Sequence, residues 1–326
     1  MGSTKKTALI CGVGGQDGTL LAKLLLENGY EVWGTSRDAA GASFANLIRV
    51  GIFDSVQTIS MSPEDFRSVF MALRQCKPDE VYFLAGQTSV GLSFELPVET
   101  VQSITVGTLN ILEACRITEK PFRLFHAGSS ECFGNTNGVA ANEQTPFQPI
   151  SPYAVAKAAA IWLVDNYREA YGIFACSGIL FNHESSLRPK KFVTQKIISA
   201  VQDIAAGKSD RLILGNIDIS RDWGWAPEYV EAMWLMLQQT TPENFVIATG
   251  ETNSLEKFLD ISFKQAGLDW KNHVKFTESL GRPSDIQISR ADPSKAAEKL
   301  GWTAKYKMQD VIAEMLRSNY DAAQWK

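Results

Sequence analysis

Cysteine and histidine are both scarce in this chain of 326 residues. The five cysteines (Cys11, Cys76, Cys115, Cys132, Cys176) are dispersed and form no C-x-x-C pair. An odd, scattered set excludes a disulfide framework and a structural zinc site. The three histidines, His126, His183 and His273, lie too far apart for a metal cluster, so no metal is expected. No apolar run reaches the roughly 18 residues of a membrane span, and the basic start lacks the apolar stretch of a secretory signal. The Met-Gly start invites N-myristoylation, but that pattern needs Ser or Thr at position 6, where this chain has Lys6. A net charge of −4 leaves no electrostatic footprint for nucleic acid or a membrane surface. Internal repeats and low-complexity tracts are also missing. The expectation is a cytoplasmic protein whose partners include neither nucleic acid nor membrane.

What is present is an ordinary globular balance, 45% hydrophobic and 21% charged, in a chain long enough for two domains or one large elaborated one. Short apolar runs alternate with helical patterns through the first half. TALIC (7–11), EVWGT (31–35), EVYFLAG (80–86), RLFHA (123–127) and FACSGILFN (174–182) read as strands. Residues 18–28 read as a helix closed by Gly29, and a second helix starts at Ser62 as N-cap with Pro63 in its first turn. Residues 98–116 form a long amphipathic pattern, and 152–171 a helix closing at Gly172. This alternation predicts an α/β fold: a doubly wound parallel Rossmann sheet with a smaller, partly interleaved C-terminal substrate lobe. After residue 182 the rhythm breaks. The expected division is 1–182 plus a returning segment at about 216–250 for the nucleotide-binding domain, and 183–215 with 251–326 for the substrate lobe.

The loop between the first strand and first helix is GVGGQDG, with Gly12, Gly15 and Gly18 in G-x-x-G-x-x-G spacing and Gly14 adding freedom. Such glycines permit a tight turn and let a pyrophosphate approach the backbone and the helix N-terminus. At the end of the second strand, where an NAD site usually carries an acid, the chain has Thr35, Ser36 and Arg37. Arg37 suits a 2′-phosphate and so favours NADP, while Asp38 either pairs with Arg37 or repels that phosphate.

Tyr153 and Lys157 in SPYAVAKAAA are four apart on a predicted helix and share a face. A lysine beside a phenol stabilises the phenolate, which can then take a sugar hydroxyl's proton as hydride leaves the same carbon. Ser129 or Ser130 offers a hydroxyl to orient the reacting oxygen. That set serves an oxidoreductase half-reaction and leaves Glu131, in the run GSSECFG, without a task.

GSSECFG, TPFQPISPYAVAK, GILFNHES, FVTQKI, RDWGWAPEYVEAMWLMLQ, FVIATGE and RPSDI together resemble the GDP-mannose 4,6-dehydratase family, an extended branch of the short-chain dehydrogenases. The resemblance covers nearly the whole chain and gives Glu131 its task. In that family hydride passes from sugar C4 to NADP, a glutamate removes the C5 proton and assists loss of the C6 hydroxyl as water, and hydride returns to C6. Carried over, Glu131 is the eliminating base and acid, Tyr153 the C4-hydroxyl base, Lys157 its electrostatic partner and Ser129 the orienting hydroxyl, in place of the family's usual Thr. The resemblance sets NADP, with NAD as the alternative, against Gly12, Gly14, Gly15, Gln16, Asp17, Gly18, Arg37, Leu84, Ala85, Gln87, Lys157, His183 and Arg188. It sets a GDP-sugar against Asn182, Val193, Lys196, Gly215, Arg221, Arg282 and Asp285, with the two arginines gripping the diphosphate or forming structural ion pairs.

The departures from the family pattern cluster at the adenine end. Ser60 in TISMSPED stands where the family carries an acid. Glu99 replaces a tyrosine, and Asp38 the second arginine of an R-R pair. Pro189 follows Arg188 where the family has glycine, in a loop that in the family reaches a neighbouring subunit's cofactor site. A homodimer or homotetramer is implied. A 4-keto-sugar reductase or C4 epimerase needs Ser, Tyr and Lys but no glutamate. A catalytically silent NAD(P)-binding protein is a reading of another class.

Overall fold

TALIC, EVYF and ACSGIL, made mostly of apolar and small residues, are buried on both faces. Such strands belong in the middle of a parallel sheet covered by helices on both sides. The computed structural model, which describes residues 5–277 and 283–320, has that arrangement. The strands are β1 (Thr7–Cys11), β2 (Glu31–Ser36), β3 (Val56–Ser60), β4 (Glu80–Phe83), β5 (Arg123–Ser129), β6 (Ala175–Leu180), β7 (Asn182–Glu184), β8 (Leu212–Leu214), β9 (Ser220–Trp225), β10 (Phe245–Ile247), β11 (Thr252–Ser254) and β12 (Val274–Phe276). Seven of them form one sheet in the order β10-β6-β5-β4-β1-β2-β3, every pair parallel. The strand order reverses between β1 and β4, so a crevice opens beyond their carboxyl ends, where doubly wound sheets bind ligands.

Several elements differ from the sequence expectation for local reasons. The strand β3 is VQTIS, whose two apolar residues, Val56 and Ile59, point to opposite faces, so it gave no clear alternation signal. The helix after it runs Phe66–Cys76 and is capped by Asp65, whose carboxylate accepts from Arg67 N at 2.9 Å; Ser62 instead donates to Glu64. The long helix expected over 98–116 is three pieces: Pro97–Val101, a π-turn at Gln102–Val106, and Gly107–Ile117. The wider turn brings Ser103 against the loop after β4, where its Oγ accepts from Gln87 N at 3.2 Å, and lets Thr105 donate to Ala156 O at 3.1 Å. The expected strand 174–182 divides at Phe181, and its second part, β7, joins a separate three-stranded sheet, β11-β9-β7.

The smaller lobe has its own core, built from Ile197, Ile198, Val201, Trp223, Phe258, Phe263 and Met315 among others. The chain crosses between the lobes more often than a simple division allows. Ser220–Trp225 lies in the small sheet, and Ala226–Gln238 then packs on the first helix of the large domain. Ser294–Leu300 and Trp302 also return to the large-domain core before Met308–Tyr320 closes the small one. No helix among the described residues is long and apolar enough to cross a membrane.

Candidate active site

GSSECFG resolves into the end of β5 followed by one 3₁₀ turn, Ser130–Phe133. Ser129 caps that turn, its Oγ accepting from Glu131 N at 3.3 Å. The last glycine closes it: Gly134 has φ +64°, and a Cβ there would sit 2.2 Å from Gln148 O. The turn is held from outside as well, since Gln148 N donates to Cys132 O at 2.9 Å. Gly128, one residue before Ser129, lets the helix Pro152–Tyr171 approach. A Cβ there would meet Gly178 O at 2.9 Å and Ile161 Cδ1 at 3.1 Å. Small residues make that helix narrow on two sides: Ala158 joins the core of Cys132, Ile161 and Ile179, whereas Ala156 and Ala160 pack with Ile104.

This close packing delivers Tyr153 and Lys157 to the end of β5, both buried. Ser151 caps their helix by accepting from Ala154 N at 3.1 Å, with Pro152 in the first turn. Lys157 Nζ donates to Ala127 O at 2.7 Å and lies 5.9 Å from the centre of the Tyr153 ring. The Tyr153 phenol is hydrogen-bonded to Ser129. Burial pushes the phenol above its ordinary range, against the Ser129 bond, and the negative charge of Glu131 pushes it the same way. Burial pulls the Lys157 ammonium down to about 8, so it is close to titration near neutral pH. Glu131 is half-buried and close enough to act on the phenol through space. Ser129, Glu131, Tyr153 and Lys157 therefore come together as one cluster.

The glycine loop lies two strands away, after β1. Gly12 has φ +87°, and a Cβ on it would meet Ala85 Cα at 3.2 Å. A Cβ on Gly18 would lie 2.4 Å from Gly12 O, so that position needs glycine for the helix to start so near the strand. A Cβ added at Gly14 would meet just the Phe44 ring among the described residues, at 3.7 Å, while Asn46 Nδ2 donates to Gly14 O at 3.0 Å. Bare backbone and an open approach suit a pyrophosphate, so the residues fit a dinucleotide. Gln16 and Asp17 begin the helix and tie it to β7. Gln16 Nε2 donates to His183 O at 3.2 Å, and Ser185 Oγ donates to Gln16 Oε1 at 2.8 Å. Asp17 meets His183 Nε2 at 2.9 Å. Burial acts against the Asp17 charge, but the adjacent imidazolium outweighs it and holds the carboxyl at about 2. The same pairing overcomes burial at His183 and raises its pKa. Arg188 stacks over Phe192 and faces Glu184 at 3.2 Å.

Leu84 continues β4, its N donating to Cys11 O at 3.1 Å, and Ala85 lies under Gly12. Gln87 Nε2 donates to Ser89 O at 2.7 Å and Thr100 Oγ1 at 3.2 Å. At the end of β2 the expected Asp38–Arg37 pair is not the one that forms. The Asp38 carboxylate accepts from Ala40 N and Gly41 N, at 3.1 and 3.0 Å, while Arg37 faces Glu99 at 3.8 Å. Among the residues expected at the sugar nucleotide, Asn182 opens β7, Val193 and Lys196 lie in the first turn of helix Val193–Ala205, and Gly215 follows β8. Arg221 is buried and pairs with Asp285 at 3.1 Å while donating to Ile286 O at 2.7 Å. The ion-pair option for Arg221 is therefore present, with Asp285 as its partner. Arg282 lies outside the described residues. A hollow of about 670 Å³ between Lys6, Glu80, Arg123 and Tyr171 sits at the amino ends of the strands, remote from all of this chemistry.

A family profile described as GDP-mannose 4,6 dehydratase matches residues 9–315. The chain belongs to that family. It is 44% identical to a GDP-mannose 4,6 dehydratase of Arabidopsis thaliana over 98% of this chain and 91% of the relative. It is 41% identical to one of Vibrio cholerae, over 98% and 95%. Among solved structures, a Thermus thermophilus UDP-glucose 4-epimerase in complex with NAD superposes with TM-score 0.84 at 25% identity, covering 97% of this chain and all of the other. A dTDP-glucose 4,6-dehydratase from Streptomyces venezuelae shares the fold, with TM-score 0.86 and 20% identity over 98% and 99%.

The sequence pattern of this family member left some supporting residues unassigned. Tyr229 stacks on His183 with ring centres 4.6 Å apart, and Gly224 makes room for it, since a Cβ there would lie 2.3 Å from the Tyr229 ring. The glycine of RDWGW was the available signal, but nothing local said which ring would fill the space. Ser185 was visible in the run NHES, yet its bond to Gln16 spans 169 positions.

Proposed function

We propose that the chain dehydrates GDP-mannose to GDP-4-keto-6-deoxymannose in the crevice at the ends of β1, β4 and β5. The observation that carries this reading is Glu131 on the turn capped by Ser129, near enough for its charge to act on the Tyr153 phenol. When bound, NADP accepts the C4 hydride and returns it to C6, so the net change is loss of water. Tyr153 takes the C4 hydroxyl proton, and the Lys157 ammonium offsets the phenolate charge. Ser129, already bonded to the phenol, orients the C4 oxygen. The 4-ketone makes the C5 proton acidic; Glu131 removes it and protonates the departing C6 hydroxyl. A carboxyl that both takes and gives a proton needs a water-poor setting, and Glu131 is half-buried. His183 and Asp17 hold the start of the first helix at the pyrophosphate position. Arg221, braced by Asp285, is the candidate for the GDP end.

The test is incubation with GDP-mannose and NADP, followed by NMR in heavy water. The 4-keto-6-deoxy product should form with solvent deuterium at C5. Glu131→Gln should reduce the cofactor in the first half-reaction and release no water; full dehydratase activity in that variant refutes the assignment. A C4 epimerase or 4-keto reductase would leave C6 oxygenated.

We also infer a homodimer through the helices Pro97–Val101 and Pro152–Tyr171, which expose Val98, Val101, Val155 and Trp162. Exposed apolar side chains on two adjoining helices favour association. Sedimentation of Trp162→Glu should give monomer where the parent chain gives dimer.

A further inference from the structure

We infer that Glu99 sets the balance between NADP and NAD by competing for Arg37. The inference deepens the proposed function and rests on its dinucleotide crevice. Arg37 leaves β2 on one side of β1, and Glu99 lies on the helix Pro97–Val101 that follows β4 on the other side. Their ion pair, Nη1 to Oε1 at 3.8 Å, therefore bridges the two walls of the crevice beyond the end of β1. The end of the second strand is where a Rossmann fold meets the adenosine ribose. The side chains of Arg37 and Glu99 are 73% and 48% exposed, so the bridge is long, solvated and easily exchanged.

The neighbouring polar groups are already engaged. The Asp38 carboxylate is turned into its own loop by the amides of Ala40 and Gly41, and lies within 2.5 Å of where a Gly41 Cβ would be. Ser60 Oγ accepts from Ala39 N at 2.9 Å, which fixes that loop against the end of β3. Arg37 and Glu99 are thus the charged pair that faces across the crevice with opposite preferences. A 2′-phosphate gains from the Arg37 guanidinium, but must displace Glu99 and remain near its like charge. A 2′-hydroxyl finds an acceptor in the Glu99 carboxylate and leaves Arg37 paired. The chain accordingly takes both dinucleotides, with a preference narrower than a bare arginine would give.

The full-length chain is dialysed against equimolar NADP and NAD, and the retained dinucleotides are released and measured by chromatography. The parent chain should retain both. Glu99→Gln should move the retained ratio about two- to fivefold toward NADP, and Arg37→Gln should move it at least as far toward NAD. Asp38→Asn, which keeps the acceptor for the loop amides, should move the ratio by less than about twofold, because a charge held by backbone amides is already compensated. A ratio unchanged in Glu99→Gln, or a larger shift from Asp38→Asn, overturns the inference while leaving the dehydratase reading intact. Retention of neither dinucleotide by the parent chain overturns both. Measuring binding separates this outcome from any failure of turnover.

Discussion

Replacing Gly134 by alanine tests whether the turn that carries Glu131 is built by the glycine that ends GSSECFG. The residue sits at φ +64° and ψ −146°, a region that side-chain-bearing residues avoid, at a cost of about 1–3 kcal/mol. The new Cβ would also lie 2.2 Å from Gln148 O. Carbon and oxygen do not approach that closely, so the turn and the 148 segment must separate by about 1 Å, adding roughly 1–3 kcal/mol. Together the substitution costs about 4 kcal/mol, which lowers Tm by on the order of 5–10 °C in a chain this long. The same separation moves Glu131, whose carbonyl accepts from Gly134 N at 3.2 Å. A shift of about 1 Å in a reacting group costs on the order of a hundredfold in rate. Gly138 is the internal control: its φ is +83°, yet nothing among the described residues lies within 4 Å of an added Cβ. Gly138→Ala should cost about 1–2 kcal/mol, from backbone strain alone, with turnover intact. Thermal melts and initial rates of the two variants are compared directly. Equal Tm losses, or undiminished turnover in Gly134→Ala, would refute the claim that this contact positions the carboxylate.

Three further outcomes are expected. Tyr153→Phe should lower the first half-reaction by about 10²–10⁴-fold, measured as single-turnover cofactor reduction, because it removes the group proposed to take the C4 proton. Lys157→Met should cause a loss of the same order and also abolish the change in rate near pH 8 where the parent ammonium titrates, which a pH–rate profile detects. Asp222 is buried with Oδ2 unpartnered, and burial raises its pKa to about 6 despite the bond from Thr249 N. An acid whose folded pKa exceeds its unfolded value of about 3.9 binds an extra proton in the folded state between those values. Stability therefore falls as pH rises from about 4 to 6, by roughly 2–4 kcal/mol, and stays reduced above that. Asp222→Asn should remove this slope, so its Tm should gain on the parent chain at pH 7.5 relative to pH 5; parallel curves would show that Asp222 stays ionised at no cost.

Local residues wrote much of this protein in advance. The alternating runs dictated a parallel sheet, since strands buried on both faces need helices on both sides. Ser151, Pro152 and Gly172 fixed one helix to the residue, and Tyr153 and Lys157 shared a face of it because the helical period requires that. The glycine spacing after β1 marked a pyrophosphate turn, because its backbone conformation and its bare surface are both properties of single residues. Tertiary structure alone decided the rest. The π-turn at Gln102–Val106 follows from contacts with residues 87 and 156. The Asp17–His183 pair joins positions 166 apart, and the Arg37–Glu99 bridge crosses a crevice formed only when β2 and β4 flank β1. Sequence specifies which groups are available; their distances, and hence whether a charge is paired, shifted or free to act, arise only when strands far apart in the chain lie side by side.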